Sequence, residues 1–190
     1  MFDSGVSVRD LVDELKNSEV DIALDIPDAT YVSWLNSLQQ LLYTEIIKEQ
    51  KKTTLRGDIS NPVSLSLITK ETDEETPIFE DIYAVYADGV QLIKSSLTSG
   101  VIFPNTFYKD NNMIGFNINP PVSELTIIHI VRPALVKVID DEIPDVNVKV
   151  PIEFIDLVKS KLRGEAYKLA NEDGLAAKWL NDYNILLETF

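Results

Sequence analysis

The side chains with catalytic potential in this chain are few, and nearly all of them are carboxylates. Cysteine is absent and His129 is the single histidine. That excludes a thiolate zinc site, a thiol nucleophile and a disulfide scaffold. His129 lies inside LTIIHIVR (125–132), where alternation puts it on one face with Leu125, Ile127 and Val131. It reads as a packed strand residue, with no carboxylate at ligand spacing beside it. The sequence has no GxxxxGK[ST], GxGxxG, GxSxG or HExxH pattern, and seven glycines leave little material for a phosphate-cradling loop. The carboxylates cluster as Asp73-Glu74-Glu75 and Asp140-Asp141-Glu142, inside the acidic stretches 70–77 and 140–145. Consecutive like charges in loops are usually solvated, and neither cluster alternates around a glycine as a calcium loop does. A two-carboxylate enzyme would need a closed pocket with carboxyl groups about 5–10 Å apart. The reading is no catalytic residues, no cofactor and no metal.

The elements that hold these residues follow from composition and period. The chain has 190 residues, 17 Lys and Arg against 31 Asp and Glu, and a formal charge of −14. At 45% hydrophobic and 25% charged it has a globular composition, sized for one domain or one core with a lobe. The negative balance counts against general nucleic-acid binding and against docking on an anionic leaflet. MFDSGVSVRD lacks the basic stretch and apolar block of a signal peptide, and no apolar run spans a bilayer. The expectation is a soluble protein, assembled in the cytosol.

Ser7 and Asp10 can cap a helix whose face carries Val8, Leu11, Val12 and Leu15. After Ile26-Pro27-Asp28, a 3.6 spacing joins Trp34, Leu35, Leu38, Leu41, Leu42, Ile46 and Ile47 in a helix over 30–51. Asp28 or Thr30 is its candidate N-cap, and Lys48, Lys51 and Lys52 complement its C-terminal dipole. From Thr53 to Lys149 the period changes to two. Strands are expected at 64–69, 82–87, 90–97, 112–119 and 125–132, with Asp88-Gly89 as a hairpin turn. The short intervals between them predict antiparallel pairing throughout. Pro151 opens a helix carrying Ile152, Ile155, Val158, Leu162, Ala166 and Leu169, and a last helix carries Leu175, Trp179, Leu180, Tyr183, Leu186 and Leu187. NEDG (171–174) is a turn between the two, or Gly174 sits within helix. The fold class is α+β: helices from 1–52 and 151–190 form one helical bundle, and 53–150 form a central antiparallel β lobe.

Trp34 and Tyr43 on the long helix, and Trp179 and Tyr183 on the last, are candidate packing or interface aromatics. The hairpins Tyr83–Leu97 and Phe107–Asn119 are expected to offer edges to which another chain could add a strand.

Three segments carry a resemblance to a known family. IPDATYVSWLNSLQQLLYTEIIKEQ resembles the N-terminal helix of head–tail connector (adaptor, head-completion or neck) proteins of tailed bacteriophages, most sharply at Trp34-Leu35-Asn36. FYKDNNMIGFNINPPVSELTIIHIVRP looks like that family's β block. The segment from Pro151 to Tyr183 resembles its closing helix pair. The resemblance implies a non-enzymatic virion structural protein, located in the neck between capsid and tail. It would form a homo-oligomeric ring, commonly of twelve copies, on the portal protein ring. Further neck or tail proteins would attach to it, DNA would pass through without specific binding, and no membrane would be involved. Asp73, Glu74, Glu75, Asp140, Asp141 and Glu142 would then be candidate lumen or portal contacts, because a negative lining repels the duplex. Two alternatives remain: a tail completion or tail-tube component, and an acidic DNA mimic that inhibits a host protein.

Overall fold

A computed structural model describes residues 2–18, 26–64, 75–95, 103–110, 113–118 and 121–190. The protein is α+β, and it divides into two compact units: residues 1–47 with 135–190, and residues 48–134. The change of period suggests boundaries near 52 and 150, and the two compact units divide at 47 and 134.

The first unit contains helices α1 (Val8–Ser18), α2 (Asp28–Leu42), α3 (Ile155–Leu169) and α4 (Asp173–Leu187). Ser7 Oγ accepts the Asp10 N–H at 3.3 Å, as the cap pattern requires, and Val8, Leu11, Val12 and Leu15 are all buried. The N-cap of α2 is Pro27, with no side-chain cap; Asp28 is already inside the first turn and pairs with Lys16 of α1. Leu35, Leu38 and Leu42 are buried as their spacing predicts, but Leu41 is 50% exposed.

The helix does not run on to Lys51. It loosens into a π turn (Tyr43–Ile47) and ends where Lys48 adopts a positive φ of 47°. The wider turn rotates Ile46 and Ile47 off the stripe, leaving them half-buried. Lys51 and Lys52 therefore do not cap a helix. They belong to a strand that finds a long-range partner, which local propensity cannot anticipate.

Helix α3 is central to its unit. It buries Ile155, Val158, Leu162 and Ala166, but also Leu157, Ser160, Gly164 and Tyr167 around its circumference. Ile152 and Leu169, expected on its stripe, are exposed. A Schellman turn closes it: Asn171 takes φ 61°, its N–H reaches the Lys168 carbonyl at 3.2 Å, and the Glu172 N–H reaches Tyr167 at 2.9 Å. Gly174 lies within α4. At Gly164 the two helices approach so closely that a Cβ would stand 2.7 Å from Leu180 Cδ2.

Residues 135–150 have little regular structure, yet side chains and backbone far away in sequence fix them. Asn36 donates to the Val136 carbonyl at 2.8 Å and accepts its N–H at 2.9 Å. Arg9 donates to the Ile143 carbonyl at 2.7 Å, and buried Gln39 accepts the Lys149 N–H at 2.7 Å. Residues 4–8 lie antiparallel to 146–148, with the Val8 N–H on Val146 and the Val148 N–H on Val6. These bonds assign the segment to the helical unit and not to the sheet.

The second unit is a seven-stranded sheet: β1 (Gln50–Arg56), β2 (Val63–Ser64), β3 (Glu75–Ala87), β4 (Val90–Lys94), β5 (Thr106–Asp110), β6 (Met113–Asn117) and β7 (Glu124–Pro133). Their order is β1-β7-β3-β4-β5-β6-β2. Val85, Leu92, Phe107, Ile114, Leu125 and Ile127 form its core. Of the expected strand at 64–69, residues 65–69 lie outside the described residues.

Two expectations fail here. Pairing is antiparallel except between β4 and β5, which run parallel through Ile93↔Thr106 and Lys94↔Phe107. The parallel overlap is only two residue pairs long. Nor are the hairpins β3–β4 and β5–β6 terminal in the sheet: among the described residues its end strands are β1 and β2, although β4 meets β5 only at Ile93 and Lys94. Asp88 and Gly89 form the expected two-residue turn, both at positive φ (45° and 80°). A bulge interrupts β3 between the pairs Ile82↔His129 and Ala84↔Ile128. Its extra residue, Tyr83, is 69% exposed.

Candidate interaction surface

The candidate surface belongs to the helical unit and follows from how little of α4 is covered. Its sequence is apolar at nine of fifteen positions, yet only Ala176 and Tyr183 are buried. Leu175 and Ile185 are 43% and 55% exposed, and Trp179, Leu180, Leu186 and Leu187 are half-buried. Between the end of α2 and the end of α4 lies an open groove of about 510 Å³, lined by Leu41, Leu42, Glu45, Ile46, Tyr183, Leu187 and Phe190. Its walls are apolar apart from Glu45. Phe190 also stacks on Phe154, with ring centroids 4.0 Å apart and planes at 18°.

The four aromatics divide between core and surface. Tyr43 is fully buried in the core that α1, α2 and α3 share. Trp34 packs at the margin of that core, edge-on to Tyr31 with centroids 5.5 Å apart. Tyr183 is buried on α4, with the Lys161 ammonium 5.2 Å from its ring centre. Trp179 is half-exposed and lies against two cations, Arg163 at 4.8 Å and Lys178 at 5.0 Å. Arg163 also lies 3.8 Å from Glu14, which Lys159 contacts at 2.7 Å, so a charge network ties α1 to α3 beside the Trp179 ring.

The acidic candidates are not brought together. Asp73 and Glu74 lie outside the described residues, and Glu75 begins β3 opposite Pro133. Asp140 and Asp141 form a tight turn with φ of 51° and 62°, closed by reciprocal bonds between Ile139 and Glu142 at 3.1 and 2.8 Å. Both aspartates and Glu142 are exposed at its tip. Two left-handed residues in succession normally call for Asn or Gly, and aspartate tolerates the conformation through its short polar side chain. Among the described residues no cluster of three His, Asp or Glu could hold a metal ion, and no helix is long and apolar enough to cross a membrane.

His129 is buried in β7, its Nε2 3.2 Å from Thr53 Oγ1. The flanking residue Ile130 is also buried and Ile128 is half-buried, so alternation alone understates how enclosed the strand is.

The sequence reading overlooked the carboxylate of Asp88. It accepts from Ser123 Oγ at 2.7 Å, from the Ser123 N–H at 3.1 Å and from the Glu124 N–H at 2.8 Å, tying the β3–β4 turn to the start of β7. These donors, the Ser123 hydroxyl foremost, hold its pKa below the usual carboxylate value of 3.8. A depressed folded pKa contributes stability that is complete above 3.8 and lost as the pH falls through the lowered value. Asp88→Asn keeps the turn preference and removes the charge. Its urea midpoint is expected to lie below the wild-type midpoint at neutral pH and to converge on it as the pH falls through the lowered value. A gap that does not narrow as the pH falls below 3.8 would show that the charge is not the cause.

No protein-family model matches this chain, and no curated protein matches it in sequence.

Proposed function

We propose that this chain is a non-enzymatic virion structural protein, a head–tail connector adaptor that builds a ring beneath the portal and gives the tail its platform. In this reading the four helices act as one bundle, the sheet is a lobe carried with it, and neighbouring copies bury the open face of α4. The observation that carries the proposal is that face: an apolar helix left largely uncovered beside a groove of Leu, Ile, Tyr and Phe side chains. Exposed apolar surface of this kind marks association sites more often than it marks a monomer's resting surface.

Charge supports the same reading. The helical unit has nine Lys and Arg against twenty Asp and Glu, a balance of −11, whereas the sheet unit has eight against eleven, a balance of −3. An acidic surface concentrated in one unit suits the wall of a channel through which DNA moves without sticking. The turn at Asp140, Asp141 and Glu142 is the candidate for the lumen or for the portal contact. The Trp34-Leu35-Asn36 segment that carries the family resemblance has a structural role in this chain. Leu35 fills the core, and Asn36 clamps Val136.

The test is electron microscopy of the purified protein mixed with the portal ring encoded near it. An additional coaxial ring on the portal is the expected result. Ile185→Asp, at an exposed position, should abolish that ring while leaving the unfolding temperature unchanged. A bare portal beside free wild-type protein would overturn the proposal. So would a ring that forms equally well with the variant.

A further inference from the structure

We propose that the outer edge of β1 binds an extended acidic peptide by strand addition. The inference does not depend on the connector reading. β1 is a terminal strand of the sheet, and its register with β7 is continuous over seven residue pairs, from Gln50↔Ile130 to Arg56↔Glu124.

The parity of that ladder decides which backbone groups are free. The Val131 N–H donates to the Glu49 carbonyl at 3.1 Å, and the Gly57 N–H donates to the Ser123 carbonyl at 3.0 Å. In an antiparallel pair such bonded residues alternate with unbonded ones. Residues 51, 53 and 55 therefore turn their peptide groups toward β7. Gln50, Lys52, Thr54 and Arg56 turn theirs outward, where they have no partner among the described residues. Four residues thus present a straight row of donors and acceptors about 20 Å long.

The side chains select what can pair there. Residues 48–56 contain Lys48, Lys51, Lys52 and Arg56 against one carboxylate, Glu49, in a chain whose balance is −14. Lys52 and Arg56 share one face, four residues apart, and both are exposed. Arg56 reaches Glu124 on its β7 side at 2.9 Å, and its side chain is still 79% exposed. An edge lysine raises the cost of pairing with an apolar or basic strand, which is how edges are kept from aggregating. The same lysine favours an anionic strand, because opposite charges facing each other across a pair are attractive. The occupant that fits is an extended segment with two carboxylates four residues apart, one for Lys52 and one for Arg56.

The probe is a fluorescein-labelled nine-residue peptide of alternating Thr and Val with Glu at its third and seventh positions. Its control carries Lys at both. At low salt the acidic peptide should bind at least about tenfold tighter by fluorescence anisotropy, and added salt should weaken it. Amide exchange at Lys52 and Thr54 should slow on binding. Lys52→Glu, at an exposed position, should reverse the preference without changing the unfolding temperature. Equal binding of both peptides, no binding at millimolar peptide, or binding that leaves the Lys52 and Thr54 amides unprotected would overturn the proposal. Self-association that protects those amides without peptide would also overturn it, by assigning the edge to a second copy.

Discussion

Gly164→Val is expected to lower stability by about 2–3 kcal/mol, the cost of forcing extra methyl groups into a closed contact. A Cβ at this position would stand 2.7 Å from Leu180 Cδ2, 2.8 Å from its Cγ and 3.3 Å from its backbone nitrogen. Turning the leucine rotamer can move Cδ2, but the backbone nitrogen moves only if α4 moves. The intrinsic preference of helices for residues other than glycine works in the opposite direction, by up to about 1 kcal/mol, and is too small to compensate. Urea unfolding followed by tryptophan fluorescence measures the loss, because Trp179 on α4 reports contact with Arg163 on α3. Adding Leu180→Ala should restore more than half of it. A Gly164→Val protein as stable as wild type would mean that α3 and α4 are not in contact at this point.

The second large effect is expected at Asn36. Its amide forms a two-bond clamp with the peptide groups of Val136, a hundred residues away. Asn36→Ala removes both bonds and leaves a part-buried N–H and C=O unsatisfied, at a cost of about 2–3 kcal/mol. Asn36→Asp should do no better. One carboxylate oxygen can still accept the Val136 N–H, but the other then faces the Val136 carbonyl and repels it. Thermal unfolding gives the loss, and amide exchange at Val136 locates it. If that amide exchanges as slowly in Asn36→Ala as in wild type, the clamp is not what holds the segment.

Local patterns reveal much of this structure where contacts are local. The stripe of α1 can be read residue for residue, and the Asp88-Gly89 turn follows from its residue types alone. α2 is legible as far as Leu42. Beyond it, Lys48, Lys51 and Lys52 have the look of a helix end, and only the distant strand β7 turns 50–56 into a strand. Residues 135–150 show the same limit. Their place in the helical unit depends on Arg9, Asn36 and Gln39, each more than ninety residues away, and nothing in Asn36 itself names its partner.

The candidate surface is legible in outline. The apolar excess of α4 is visible in sequence, but the spacing that suggested a buried stripe does not reveal that Leu175 and Ile185 find no cover within the chain. The outward parity of β1 is invisible without the register. That Asp140 and Asp141 lie in a loop was readable; that both are left-handed was not.

The discontinuity of the helical unit has a consequence for synthesis. A nascent chain that has reached Ala134 already holds every strand of the sheet unit, which is contiguous and can close its ladders early. The same nascent chain holds α1 and α2 without α3, the helix whose Leu157, Val158 and Leu162 complete their shared core. Until about thirty further residues have left the ribosome, the apolar stripes of α1 and α2 can cover only each other. During translation the order of maturation is therefore the reverse of the order of emergence: the part that appears first is finished last.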